Sequence, residues 1–218
     1  MMKKDEIIYV AEELFNLESS DYQISTGLLV RYNGNYIFAI QNPNRWKVVE
    51  NKREAGLVGI GGKIEKGETV IGCIKRETVE ELGSDVEIED SGTIYLITDK
   101  SINKITIGNI KSEPRPYFII LLERTEPNRK PFTVVFSYKG SILTTPKPVD
   151  VSALLLAKVS TLIHLISGPK TIKFLKEKSA KSIERIKIPD DLYLRPYGTL
   201  SAYLRLLEFQ QEIGGMDD

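Results

Sequence analysis

The sequence is short of the residues on which several common chemistries depend. It has one cysteine, Cys73, and one histidine, His164. A lone cysteine excludes an intramolecular disulfide and a cysteine-only metal site, and a lone histidine excludes a multi-histidine cluster. Charge of one sign is not in excess either. Thirty Lys and Arg stand against thirty Asp and Glu, for a formal net charge of zero and a pI near 6.7. There is therefore no basic surplus directed at nucleic acid or an anionic membrane surface. Long hydrophobic runs are missing too. The stretches 118–122 and 153–157 fall far below the roughly 20 residues needed to span a bilayer, and Met1-Met2-Lys3-Lys4 is followed by no signal-peptide hydrophobic region. The expectation is a soluble cytoplasmic protein whose metal chemistry, if any, is built on carboxylates.

What is present is ordinary globular composition, 41% hydrophobic and 28% charged over 218 residues, long enough for one sizeable core. Ile7, Ile8, Ala11, Leu14 and Phe15 recur at helical spacing, which predicts an amphipathic helix over 1–20. Leu28-Leu29-Val30 and Tyr36 to Ile40 flank Asn33-Gly34-Asn35, a β-hairpin pattern. Residues 41–56 are polar and read as a surface loop. A glycine-rich stretch from Gly56 to Gly62 leads into a helix over Val70 to Leu82, capped by Thr69 and ended by Gly83. Strand-like runs follow at 93–98, 104–107, 117–122 and 132–138, separated by turn signals at 99–100, 108–109, 114–116 and 127–128. Residues 152–166 fit either one buried helix or a strand through Leu154 to Leu156 followed by a helix from Ser160, and the second is favoured. Gly168-Pro169 closes this segment, and Leu200, Tyr203, Leu204 and Leu207 form the apolar stripe of a terminal helix. The layout is mixed α/β with helical ends.

The segment from Gly62 to Gly83 carries the chemistry. On its helix Ile71, Ile74, Thr78 and Leu82 fall along one side, and Cys73, Glu77, Glu80 and Glu81 along another. Glu77, Glu80 and Glu81 are related by i, i+3 and i+4, so their carboxylates converge. Two of them sit in the last turn, where the helix macrodipole disfavours negative charge. A divalent cation relieves both penalties, and hard oxygen ligands suit magnesium or manganese. A solvated helix face with Arg76 paired to Glu80 explains the same residues more simply, and helical spacing alone does not separate the two readings.

The complete spacing does. Gly62, Glu68, Arg76, Glu77, Glu80, Glu81 and Gly83 fill every fixed position of the pattern G-x5-E-x7-R-E-U-x-E-E-x-G-U, U being a bulky apolar residue. With each residue type at roughly 7%, chance agreement is on the order of one in a million. The segment resembles the signature of the Nudix hydrolase superfamily. Thr78 and Ser84 depart from it, standing where Ile, Leu or Val is usual, and Thr78 keeps a methyl for packing at a mild cost. The resemblance implies an α/β/α sandwich on a mixed sheet, placed here at 21–167, with helical extensions at 1–20 and 168–218. It implies hydrolysis of a nucleoside diphosphate linked to another moiety, with Mg2+ (or Mn2+) held by Glu77, Glu80, Glu81 and the Gly61 carbonyl. Arg76 and Glu68 take bracing roles.

Across the superfamily the general base is either a signature glutamate or an acid on a later loop. Glu77, Glu80, Glu113 and Asp150 are the candidates here. Arg45, Trp46 and Arg53, with Lys47 and Lys52, form a basic, aromatic-bearing loop able to contact phosphate and stack on a base, although an unliganded surface loop is the simpler reading. Cys73 has no neighbouring base and reads as packing, and His164 as a core or partly buried residue. The partner implied is a small nucleotide-diphosphate substrate, with no membrane and no clear nucleic-acid signal. The apolar stripe near the C-terminus packs on its own domain or forms a homodimer interface. A catalytically silent Nudix-like nucleotide-binding module is the principal alternative, set against the intact carboxylates, and a purely partner-binding protein leaves those carboxylates unexplained.

Overall fold

A computed structural model of the chain describes residues 21–105, 114–123 and 130–212. The helix expected over 1–20, the turns at 108–109 and 127–128 and the candidate Glu113 lie outside the described residues. Strands β1 (Tyr22–Tyr32) and β2 (Asn35–Ile40) form the expected hairpin, with Val30 opposite Ile37 and Tyr32 opposite Asn35. Its two-residue turn, Asn33-Gly34, has φ of 46° and 73°. Positive φ at both positions is what a turn matching the strand twist requires, and Asn and Gly tolerate it best.

The polar segment 41–56 is not the loop its composition suggests. A short 3-10 turn (Pro43–Arg45) leads into a second hairpin of β3 (Lys47–Val49) and β4 (Lys52–Val58). Its turn is Glu50-Asn51, again with positive φ at both residues. The pattern is hidden because β3 is exposed along its whole length and lacks the alternation that marks a half-buried strand.

Helix α1 (Val70–Leu82) starts where Thr69 Oγ1 accepts the Gly72 N–H at 3.0 Å and ends at Gly83 in the left-handed region, φ 61°. The two departures from the signature pattern are accommodated here. Thr78 is fully buried and its hydroxyl donates to the Ile74 carbonyl at 2.7 Å, which leaves the methyl for the core. Ser84 shares a 2.6 Å hydrogen bond with the Thr144 hydroxyl.

Past α1 come β5 (Glu87–Glu89), β6 (Ile94–Ile97), β7 (Ile102–Ile105), β8 (Phe118–Glu123), β9 (Phe132–Ser141) and β10 (Ala153–Ala157). A short helix α2 (Val159–Leu162) follows β10, as the strand-then-helix reading expects. The order through the sheet is β4-β2-β1-β9-β8-β6-β7, with β1 parallel to β9 and antiparallel to β2.

The C-terminal segment departs from a helical extension. Residues 170–197 carry three strands, β11 (Lys170–Thr171), β12 (Lys181–Glu184) and β13 (Tyr193–Tyr197), with the short helix α3 (Ile172–Glu177) between the first two. β12 pairs with β10 and β13 runs parallel to β4, so both join the sheet built by the earlier chain. The charged run 170–187 obscures this, because an edge strand such as β12 buries too little side-chain surface to impose an apolar pattern. Only α3 and α4 (Thr199–Glu212) match the helical expectation, α4 being the terminal helix with the apolar stripe.

Alternation along the central strands splits the core into two layers. Leu28, Val30, Ile37 and Ala39 point to the side covered by Val70, Ile74 and Leu82 of α1, while Leu29, Phe38 and Ile40 point to the side covered by Leu200, Tyr203, Leu204 and Leu206 of α4. A sheet apolar on both faces needs a cover on each, which makes this an α/β/α sandwich. Leu207, the outermost member of the expected stripe, is only partly buried against the same cluster. Among the described residues no helix is long and apolar enough to cross a membrane.

Because Leu194 of β13 is fully buried, Leu194→Ala should cost about 2–5 kcal/mol. Thermal unfolding should remain one cooperative transition. A C-terminal segment folding independently of the sheet would instead give two transitions, with only the minor one shifted.

Candidate active site

The site begins where the chain leaves β4. The Thr26 and Leu28 N–H groups donate to the carbonyls of Gly62 (2.8 Å) and Ile60 (2.7 Å), which fastens 60–62 to the edge of β1 through the carbonyls on either side of Gly61. Gly61 has φ 140°, and a Cβ there would lie 2.4 Å from the Thr26 carbonyl oxygen. At Gly62 a Cβ would meet the Glu77 carboxylate at 2.1 Å. Backbone and carboxylate approach closely only because both residues are glycine.

Arg76 is the hub of the helix face. Its Nε and Nη2 donate to the two oxygens of Glu68 (2.9 and 3.1 Å), a bidentate pair, and its Nη1 donates to Glu77 (2.7 Å) and Glu80 (2.9 Å). Glu68 in turn accepts the Glu65 N–H at 3.0 Å, so the guanidinium ties the loop before the helix to the helix itself. Arg76 holds the Glu68 carboxyl below its ordinary value. Burial raises that of Glu77, against the opposing pull of Arg76.

Glu81 stands apart from this cluster. Its carboxylate accepts the Gly61 N–H at 3.4 Å, and burial, reinforced by the negative charges of Glu77 and Asp150, pushes it up to about 8. The three signature glutamates therefore do not share one focus as helical spacing alone suggests. Like charges separate, and Arg76 draws Glu77 and Glu80 towards itself. Among the described residues no three Asp, Glu, His or Cys side chains gather closely enough to hold an ion. The donor chemistry nonetheless fits a hard divalent cation. Glu81, facing the charge of Glu77 and Asp150, has among the described residues one long backbone hydrogen bond to stabilise its ionised form.

Asp150 reaches Glu81 through the way the helix ends. The last carbonyls of α1 lack helical partners, and the N–H groups of Lys147 and Val149 fill two of them, donating to Leu82 (2.9 Å) and Glu81 (3.2 Å). The next residue is Asp150, held from its other side. Asn42 Nδ2 donates to the Asp150 carbonyl (2.8 Å), Arg185 Nε donates to the Val151 carbonyl (2.7 Å), and the Ser152 hydroxyl donates to Asn42 Oδ1 (2.9 Å). Asp150, Glu81 and Gly61 line one cavity of about 340 Å3 with Asn42, Arg45 and Val58. Neither Asn42 nor Arg185 belongs to a motif, and the sequence distance between them gives no signal of their meeting.

The remaining candidates divide. Arg45 lines this cavity, whereas the exposed Arg53 pairs at 3.5 Å with Asp191, away from it. Trp46 packs against the core, and its indole N–H donates to the Gln41 carbonyl at 2.7 Å. Cys73 is fully buried against Thr26 Oγ1 at 3.3 Å, and burial pushes its thiol up to about 11, which suits packing and not nucleophilic attack. His164 is half-buried with its ring edge-on to Phe174.

Comparison with solved structures finds similarity to the MutT protein from Methanosarcina mazei Go1, at 13% identity and TM-score 0.48 over 92% of this chain and 100% of that one. The ORF135 protein of E. coli is 14% identical with TM-score 0.43, covering 65% and 77% of the two chains. A NUDIX-family hydrolase from Clostridium perfringens is 12% identical with TM-score 0.41, covering 72% and 94%. No curated protein matches in sequence. The family model described as the NUDIX domain matches residues 21–131, just over half of the chain and the whole of the glycine turn and glutamate helix. The chain belongs to the Nudix family and is a hydrolase.

Proposed function

We propose that this hydrolase cleaves a pyrophosphate bond in a nucleoside diphosphate linked to a second moiety, by attack of water on phosphorus, with magnesium as its cofactor. The observation that carries the reading is the meeting of Glu81, Gly61 and Asp150 in one cavity at the C-terminal end of the signature helix. The residues that would hold the metal are Glu77, Glu80, Glu81 and the Gly61 carbonyl. When bound, magnesium neutralises phosphate charge and lowers the pKa of a coordinated water.

The chain's own residues do the rest. The Glu68–Arg76 pair fixes the helix relative to the glycine turn, so that Glu81 and the Gly61 backbone keep their spacing. Asp150 is the general base of this reading, taking the proton of the attacking water at its carboxylate. Among the described residues it is the one loop acid beside Glu81 in the cavity, and its backbone is held on both sides. Arg45, which lines the same cavity, offers a positive charge to the departing phosphate.

Two predictions follow from this assignment. Chelation should abolish turnover of any accepted substrate, Asp150→Asn should lower kcat about 100-fold or more, and Cys73→Ser should retain turnover within a few-fold. Undiminished activity after thorough chelation, or loss of activity in the serine variant alone, would overturn the metal-assisted reading.

The second concerns Glu81 in metal-free protein. Its carboxyl lies near 8 when folded against an ordinary 4.5, so the folded state holds the proton more tightly. Stability should therefore fall as pH rises from about 4.5 to 8. Glu81→Gln should flatten that dependence, abolish most turnover and reduce the rise in melting temperature on adding magnesium. Thermal melts across pH with and without magnesium, paired with one assay, check all three. Near-normal turnover in this variant would remove Glu81 from the site.

A further inference from the structure

A second cavity, of about 790 Å3, opens beside the first and shares Gln41, Arg45 and Val58 with it. Its remaining walls come from four parts of the chain, with Lys47 of β3 and Leu122 and Glu123 of β8 on two of them. β4 supplies Glu54, Ala55 and Gly56, and the end of β13 supplies Tyr197 and Gly198, outside the stretch matched by the family model. The size suits a nucleoside-sized ligand, and the common wall makes the two cavities one groove with Arg45 at the junction.

The C-terminal strand is fitted closely into this place. A Cβ on Gly56 would lie 2.4 Å from Gln41 Oε1 and 3.1 Å from the Tyr197 ring, so ring and amide both lie over bare backbone. Two residues on, at the start of α4, Thr199 packs on Gly59, where a Cβ would meet its Cβ at 2.8 Å. The strand itself is pinned by Arg195, which donates to both oxygens of the buried Glu54 at 2.6 and 3.0 Å. The Tyr197 ring is thus set in position while 43% of the residue stays open to solvent. An aromatic face held open in a polar groove is a stacking platform for a planar ring. Arg45 and Lys47 line the same groove, and both are exposed cations available to phosphate.

We propose that Tyr197 and Arg45 select the substrate, Tyr197 by stacking on a nucleobase in the larger cavity and Arg45 by holding the diphosphate where the two cavities meet. The substrate class is accordingly a nucleotide with its base on the C-terminal strand and its scissile bond beside Glu81. Diphosphates that lack an aromatic ring leave the larger cavity unused. This inference rests on the hydrolase reading above for the position of the scissile bond, and adds to it a recognition element from the C-terminal segment.

Equilibrium dialysis of the full chain with ADP and with inorganic pyrophosphate tests it, beside a turnover assay on a panel of pyrophosphate-containing compounds with magnesium. Wild type should bind ADP more tightly than pyrophosphate. Tyr197→Ala should weaken ADP about five- to a hundredfold and leave pyrophosphate unchanged. Tyr197→Phe should keep the wild-type affinity for ADP, and Arg45→Ala should weaken both ligands. ADP bound no better than pyrophosphate, or equally well by wild type and Tyr197→Ala, would overturn the inference. If wild type still hydrolysed members of the panel in that case, the proposed function would stand without it. Failure of wild type to hydrolyse any of them would overturn the proposed function, and with it the position assigned to the scissile bond.

Discussion

The structure around the site depends on one guanidinium. Arg76 holds four carboxylate contacts among Glu68, Glu77 and Glu80, and without that charge the acidic face of α1 would repel itself and the loop before it. The pairing is a network with bidentate geometry on partly buried groups, which sets it apart from an isolated surface pair worth ~1 kcal/mol or less. Arg76 binds three of the four signature glutamates and leaves the fourth, Glu81, facing the cavity. The helix therefore has a half held together by Arg76 that maintains the architecture and an end without such a partner that meets Gly61 and Asp150.

That end is completed by distant parts of the chain. The orphan carbonyls of Glu81 and Leu82 are taken by 147–149, which sets Asp150 in place. Arg185, just past β12, grips the carbonyl beside it. Farther along, β13 extends the sheet beside β4 and α4 covers the face opposite α1. Residues 170–212 thus serve three purposes in one packing arrangement: sandwich layer, positioning of Asp150, and wall of the larger cavity.

How much of this was legible in the sequence depends on whether the determinant was local. Thr69 and Gly83 announce the ends of α1 because caps work through neighbouring backbone groups, and Asn33-Gly34 announces its hairpin for the same reason. Arg76 to Glu80 was readable as a helical i, i+4 pair. The β3–β4 hairpin was not, since Glu50-Asn51 is an uncommon turn pair and β3 buries nothing. β12 and β13 were not, since partners far away in sequence specify their pairing. Asp150 could be named as a loop acid, but its neighbours Asn42 and Arg185 could not, and Tyr197 carried no signal before the strand placed its ring over Gly56.

The proposed hydrolysis of a phosphorus anhydride by water takes place at the end of the signature helix. The most direct measurement is turnover of the substrate panel with magnesium in 18O-labelled water, followed by mass analysis of the phosphate-bearing products. One labelled oxygen per bond cleaved is expected, carried on a phosphorus of the product, with no labelled product in the presence of a chelator. Cleavage that places the label on carbon, or that incorporates none, would contradict that hydrolysis.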